Sequence, residues 1–248
     1  SRFKTQKARL TIYHVGRDGF GVSWHKKKGM DIGKCGITME QVTELFQEVM
    51  KKSQTGAEAK QLRVYEVVQQ YVKPMTMGTG MGYAMMLNKS RPLQVTSVVS
   101  VTWRCLFNEV VQTLEALKPN GPMFIDFLAL DQNASDWSWL EWMSREHGSP
   151  IGFLLQDSKV NEFMMLHTAD VQALSRGWNL FDFHMAMKNK ASIKHGGKPG
   201  VLHDVLHTVR SEDAMCSSPA DLAMIRQTIM DAYGSYDEFD ELIKGTLN

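Results

Sequence analysis

Apolar positions recur at helical spacing in some stretches and run without interruption in others. Thr38 and Gln41 have capping-box spacing, and Val42, Leu45, Phe46 and Val49 then repeat at three and four residues, which predicts a helix toward Lys52. A second helix is expected from about Ala57 through Leu62, Val64, Tyr65, Val68 and Val72, with Pro74 marking its end. Residues 95–101 form a β-branched run that reads as a buried strand leading to Trp103. Leu106, Val110, Val111, Leu114 and Leu117 follow at helical spacing, and Pro119, Gly121 and Pro122 signal a turn. Residues 123–130 are a second apolar run, broken only by Asp126, and residues 151–155 a third. Both are expected to be strands. Residues 178–187 read as a helix, and residues 201–209 as a strand or a helix. Ser218-Pro219 and Ser235 open two last helices. Earlier, residues 10–33 mix glycine with aromatics and suggest a short hairpin.

Strands alternating with helices predict an α/β fold, with a parallel sheet covered by helices on both faces. The expected division is an N-terminal extension over residues 1–92 and an α/β domain over 93–248. In such sheets, sites gather at the carboxyl ends of the strands. That points to residues 100–104, 131–135 and 156–159.

Composition narrows the classes without choosing one. Hydrophobic residues are 43% and charged residues 22% of the 248, which excludes wholesale disorder. Lys and Arg number 28 against 27 Asp and Glu, so a generally basic nucleic-acid binder is excluded. No run of about 18 apolar residues supplies a membrane span. Cys35, Cys105 and Cys216 are too few for a disulfide framework and fit a reducing, intracellular compartment, cytoplasmic or organellar. Methionine is abundant, at 17 residues, which suits an irregular core or an adaptable partner surface.

Candidate chemistry is scattered. Gly78, Gly80 and Gly82 form a glycine-rich loop, but a helix and Pro74 precede it where a phosphate cradle needs a strand. The segment from His195 to Gly200 also reads as a mobile glycine-rich loop. His203 and His207 share one helix face if that segment is helical, with His195 and Cys216 nearby, yet no metal-ligand signature appears. Asp126, Asp131 and Asp136 invite an acid–base or turn-capping reading. A helix opened by Ser135 would carry Trp137, Trp139 and Trp142, which cannot all enter one core stripe. They are interface candidates. No Gly-x-Ser-x-Gly elbow is present.

Four segments carry a resemblance. They are Val72-Lys-Pro-Met-Thr76 followed by residues 83–88; Val99-Ser100-Val101-Thr102-Trp103; residues 124–132, ending in Asp131-Gln132; and residues 174–182, ending in Asp182. In this order they resemble a group of algal proteins abundant in dinoflagellates. Those in turn are similar to the Toll/interleukin-receptor superfamily and the fungal heterokaryon-incompatibility domain. The resemblance spans residues 72–187 and implies a flavodoxin-like parallel sheet. It implies either an enzyme that cleaves the nicotinamide–ribose bond of NAD or a non-catalytic assembly module. In the first case Asp182 would steady charge on the ribose, helped by Ser100, Trp103 and Asp131. Here the family's Glu is Asp182, its Cys is Asn179 and its His is Val101, while Trp103, Phe124, Leu130, Trp178 and Phe181 keep the apolar frame. These departures favour an accessory subunit, without a cofactor, that binds other protein subunits.

Overall fold

The computed structural model describes residues 31–52, 60–135, 148–169 and 172–247. In chain order these contain α1 (Met39–Lys52), α2 (Val64–Val67), a π-helical stretch (Val68–Val72), α3 (Lys73–Thr76), α4 (Tyr83–Leu87), β1 (Ser97–Ser100) and α5 (Phe107–Leu117). Then come β2 (Met123–Ile125), α6 (Asp126–Ala129), α7 (Pro150–Leu154), β3 (Glu162–Leu166) and α8 (Gly177–Lys188). The chain continues through β4 (Ser192–Gly196), α9 (Pro199–Thr208), α10 (Pro219–Tyr233) and α11 (Tyr236–Thr246). The hairpin expected at residues 10–33 falls almost wholly outside the described residues, and Asp136, Trp137, Trp139 and Trp142 lie outside them too.

The four strands form one all-parallel sheet in the order β2-β1-β3-β4. This is an α/β fold, and its order is that of the first four strands of a flavodoxin-like sheet. Register assigns the faces. Val98, Phe124 and Phe163 lie side by side, and so do Val99, Ile125 and Met164, one residue on and therefore on the opposite face. The Val99 face shares a core with Leu45 and Val49 of α1, Val67 and Val72 of the second helical run, and Phe107, Val110 and Leu114 of α5. The Val98 face meets α8, because Ser100 bonds Asp182 and the His195 ring lies against Phe183. Both faces are covered, so β1, β2 and β3 are buried throughout.

The helix caps follow the sequence. Thr38 Oγ1 accepts from Gln41 N–H while the Gln41 amide oxygen accepts from Thr38 N–H, which completes the capping box. Ser218 and Ser235 cap α10 and α11.

Four expectations are corrected. Pro74 does not end the second helix, which runs on to Thr76. The π turns just before it widen the helix where the ring would meet a carbonyl, and Thr76 Oγ1 donates to Val72 O at 2.8 Å. The apolar run at 123–130 is a strand only to Ile125. There the Asp126 carboxylate takes Phe127 N–H at 2.7 Å and turns the chain into α6. Residues 151–154 are helical in α7 and Leu155 caps it, so this run is not a strand and residues 156–159 are not a strand end. A short apolar run has no period that separates strand from helix, and Ser149-Pro150 supplies the cap and first-turn proline. The third strand is β3 instead. The segment from His195 to Gly200 is not a loop throughout: His195 and Gly196 are paired in β4, and Pro199 opens α9, which makes residues 201–208 helical and leaves Val209 as its extended cap.

The methionines divide. Met123, Met164 and Met165 are core residues, whereas Met77 and Met215 are about two-thirds exposed. The glycine-rich loop is a tight turn: Gly78 and Gly80 have φ of 74° and 65°, and Gly82 presses on the backbone of Ala129. A Cβ at Gly82 would sit 2.1 Å from Ala129 O, whereas one at Gly80 would meet nothing. Gly82→Ala is therefore expected to lower stability by about 2–3 kcal/mol. Gly80→Ala should lose only about 1 kcal/mol, from its left-handed backbone. Paired denaturant titrations check the order; equal losses would contradict the contact assignment.

Candidate functional site

The carboxyl ends of β1 and β2 bring together the acid that the resemblance implies and a second acid. β1 ends at Ser100, whose side chain shares a face with Val98 and so points at α8. Its Oγ donates to Asp182 Oδ2 at 3.0 Å. Ser149 Oγ donates to Asp182 Oδ1 at 2.8 Å and itself accepts from Gly152 N–H as the cap of α7. Both carboxylate oxygens are thus engaged, and Asp182 is 7% exposed. Burial pushes its carboxyl up to about 7. The two serine hydroxyls pull the other way, and the charge of Asp126 adds to the rise.

Asp126 is the second acid. Its Oδ1 accepts from Phe127 N–H, and its Oδ2 accepts from Trp103 Nε1–H at 2.9 Å. Burial raises it to about 6 against those two hydrogen bonds.

The four residues assigned from the sequence therefore separate. Ser100 and Asp182 are joined. Trp103 hydrogen-bonds Asp126, and its ring meets Phe127 edge-on at 6.5 Å. Asp131 stands apart: its Oδ1 accepts from Asn133 N–H at 2.9 Å and caps its own turn. Asn179, at the family's Cys position, is buried, and its Nδ2 has no partner.

Two contributors escaped the sequence reading. Ser149 was detectable, because Ser149-Pro150 repeats the Ser218-Pro219 signal. The other is a histidine relay that exists only through sheet register, which sets Met165 beside His195. Thr246 Oγ1 donates its one proton to Ile243 O at 2.7 Å, so it accepts from His195 Nε2–H at 2.9 Å. Neutral His195 then offers Nδ1 to His167 Nε2–H at 2.9 Å, which leaves His167 Nδ1 as a buried lone pair without a partner. Burial drives His167 down to about 3, with the charge of His195 adding, and His195 down to about 4. Both rings are neutral at physiological pH.

His167 lines a cleft of about 210 Å³ beyond the carboxyl ends of β3 and β4. Its walls include Gln112 and Thr113 of α5 and Gly196-Gly197-Lys198 before α9. Lys198 Nζ is paired with Glu109 at 2.8 Å, so the cleft has no uncompensated positive charge from this lysine. Among the described residues no three His, Cys, Asp or Glu side chains come together as a metal centre. Among them no helix is long and apolar enough to cross a membrane.

No family model matches the chain, and no curated protein or solved structure matches it either.

Proposed function

We propose that the protein is a non-catalytic interaction or accessory subunit of a larger protein assembly, and that Asp182 is a strut within its fold. One observation carries this reading. The acid that a NAD-cleaving site would need has both oxygens taken by Ser100 and Ser149 and is almost wholly covered. A carboxyl raised to about 7 is also a weaker anion than charge stabilisation of an oxocarbenium-like ribose requires. The indole N–H of Trp103 is committed to Asp126.

The rival is an enzyme that cleaves NAD or binds a nucleotide at Asp182. What favours it is position and poise: an acid raised toward neutrality at a strand's carboxyl end is also what proton-transfer sites use. Access decides between the two, because a reacting ribose must reach the carboxylate.

The partner side of the reading draws on exposed methionines. Met77 and Met215 offer flexible, polarizable side chains of the kind that adaptable interfaces use. Native mass measurement of the protein from its source tests it. The expected result is a native species heavier than the same protein's mass under denaturing conditions. A native mass equal to the denatured one would overturn the assembly reading.

A further inference from the structure

We infer that His203 and His207 form an exposed two-imidazole chelate for a first-row divalent transition cation such as Zn²⁺, Ni²⁺ or Cu²⁺. The two residues lie one turn apart on α9, and their rings converge instead of splaying into solvent. The Nε2 atoms are 3.2 Å apart and the ring centroids 4.4 Å apart. That separation matches a shared metal. With each metal–nitrogen bond about 2.1 Å, it subtends an angle of roughly 100° at the cation. This falls between the square-planar angle of about 90° and the tetrahedral angle of about 109°, the geometries that imidazole-binding cations adopt.

The surroundings leave the cation a path. The buried residue of α9 is Val205, on the opposite side. Gly200 lies on the same face as the two histidines by helical spacing, and a Cβ built there meets nothing within 4 Å. His203 is 69% exposed at its side chain, and Asp204 Oδ1 lies 3.9 Å from His203 Nδ1. A metal-bound imidazole carries its proton on the other nitrogen, and Asp204, too far at 3.9 Å for a hydrogen bond, adds negative charge on that side.

The proton balance is simple. Without metal, one Nε2 must carry the hydrogen that the 3.2 Å contact shares. On binding, that ring shifts its proton from Nε2 to Nδ1, and both Nε2 lone pairs face the cation. Two ligands make an exchangeable site, with the remaining coordination positions taken by water.

Isothermal titration of the whole chain with NiCl₂ and ZnCl₂ tests this, with CaCl₂ as the oxygen-seeking control. The double variant H203A/H207A is expected to bind one equivalent fewer than the wild type. Each single variant should weaken that equivalent on the order of 100-fold, because the second bond of a chelate forms at high effective concentration. Alanine is the strongest helix former, so α9 is retained in the variants, and circular dichroism verifies this. With Cu²⁺, the electron paramagnetic resonance spectrum should carry couplings from two imidazole nitrogens in the wild type that the double variant lacks. Equal stoichiometry and affinity in wild type and double variant would overturn the site, and so would Ca²⁺ binding as tightly as Ni²⁺.

Discussion

The stability difference between Asp182→Asn and the wild type should grow by about 4 kcal/mol from pH 4 to pH 8 in favour of the variant. The unfolded chain holds a proton at this position only below about 4. In the fold, burial raises Asp182 to about 7. Between those values the folded state binds more protons than the unfolded one, so stability falls as pH rises. Above 7 the folded state carries the full cost of a buried anion, and an amide does not. The serine contacts survive in the variant: the Asn oxygen accepts one hydroxyl, and the other turns to accept from the amide. Wild-type curves alone hide this slope. His167 and His195 are held near 3 and 4, so they add stability as pH rises toward the ordinary histidine range, the opposite direction over the same window. Subtracting the variant's curve removes the histidines and leaves Asp182 together with its coupling to Asp126. Denaturant unfolding of both proteins at each pH gives the result, and a flat difference curve would contradict the burial assignment.

A second large effect is expected at the amino-terminal edge of the sheet. Glu162 is 1% exposed and clamps three strands and a loop. Its Oε1 pairs with Lys194 of β4, its Oε2 accepts from Ser97 Oγ of β1 at 2.8 Å, and Asn120 donates to it from both backbone and side chain. Burial alone would raise this carboxyl. The bonds from Lys194, Ser97 and Asn120 outweigh burial and hold it below the usual range. Glu162→Ala strands Lys194, Ser97 and Asn120 together. Removing one partner of a buried ion pair typically costs 3–5 kcal/mol, and Lys194 is part-exposed, so a loss of about 3 kcal/mol is expected. Because the folded carboxyl is depressed, its contribution is complete above the unfolded value and fades as pH falls. The variant's deficit should therefore shrink in acid. A loss under about 1 kcal/mol at pH 7 would show that water satisfies these groups instead.

The sequence was legible where side chains act on their own backbone. The caps at Thr38, Ser218 and Ser235 and the stripes of α1 and α5 depend on local chemistry alone, and they fold as read. The strands were harder. β1 is β-branched and was visible. β3 opens with Glu162 and carries two methionines, and β4 holds Lys194 and His195. Neither has a β-branched run, because polar side chains there are paired across strands instead of exposed. Residues 151–155 show the converse, an apolar run that a Ser-Pro cap makes helical. The candidate site divides in the same way. Joining Asp182 to Ser100 was legible, through the segments that carry the resemblance. Ser149 was legible as a helix cap, but its bond to Asp182, the Asp126–Trp103 bond and the histidine relay follow from register and helix packing, which no local signal encodes.

On the proposed reading Asp182 links Ser100 to Ser149 and performs no chemistry. Incubating the wild-type chain and Asp182→Asn with NAD and separating the products by chromatography tests it directly. Intact NAD is expected in both samples, with nicotinamide no higher than in a protein-free blank. Nicotinamide released by the wild type and lost in Asp182→Asn would contradict it.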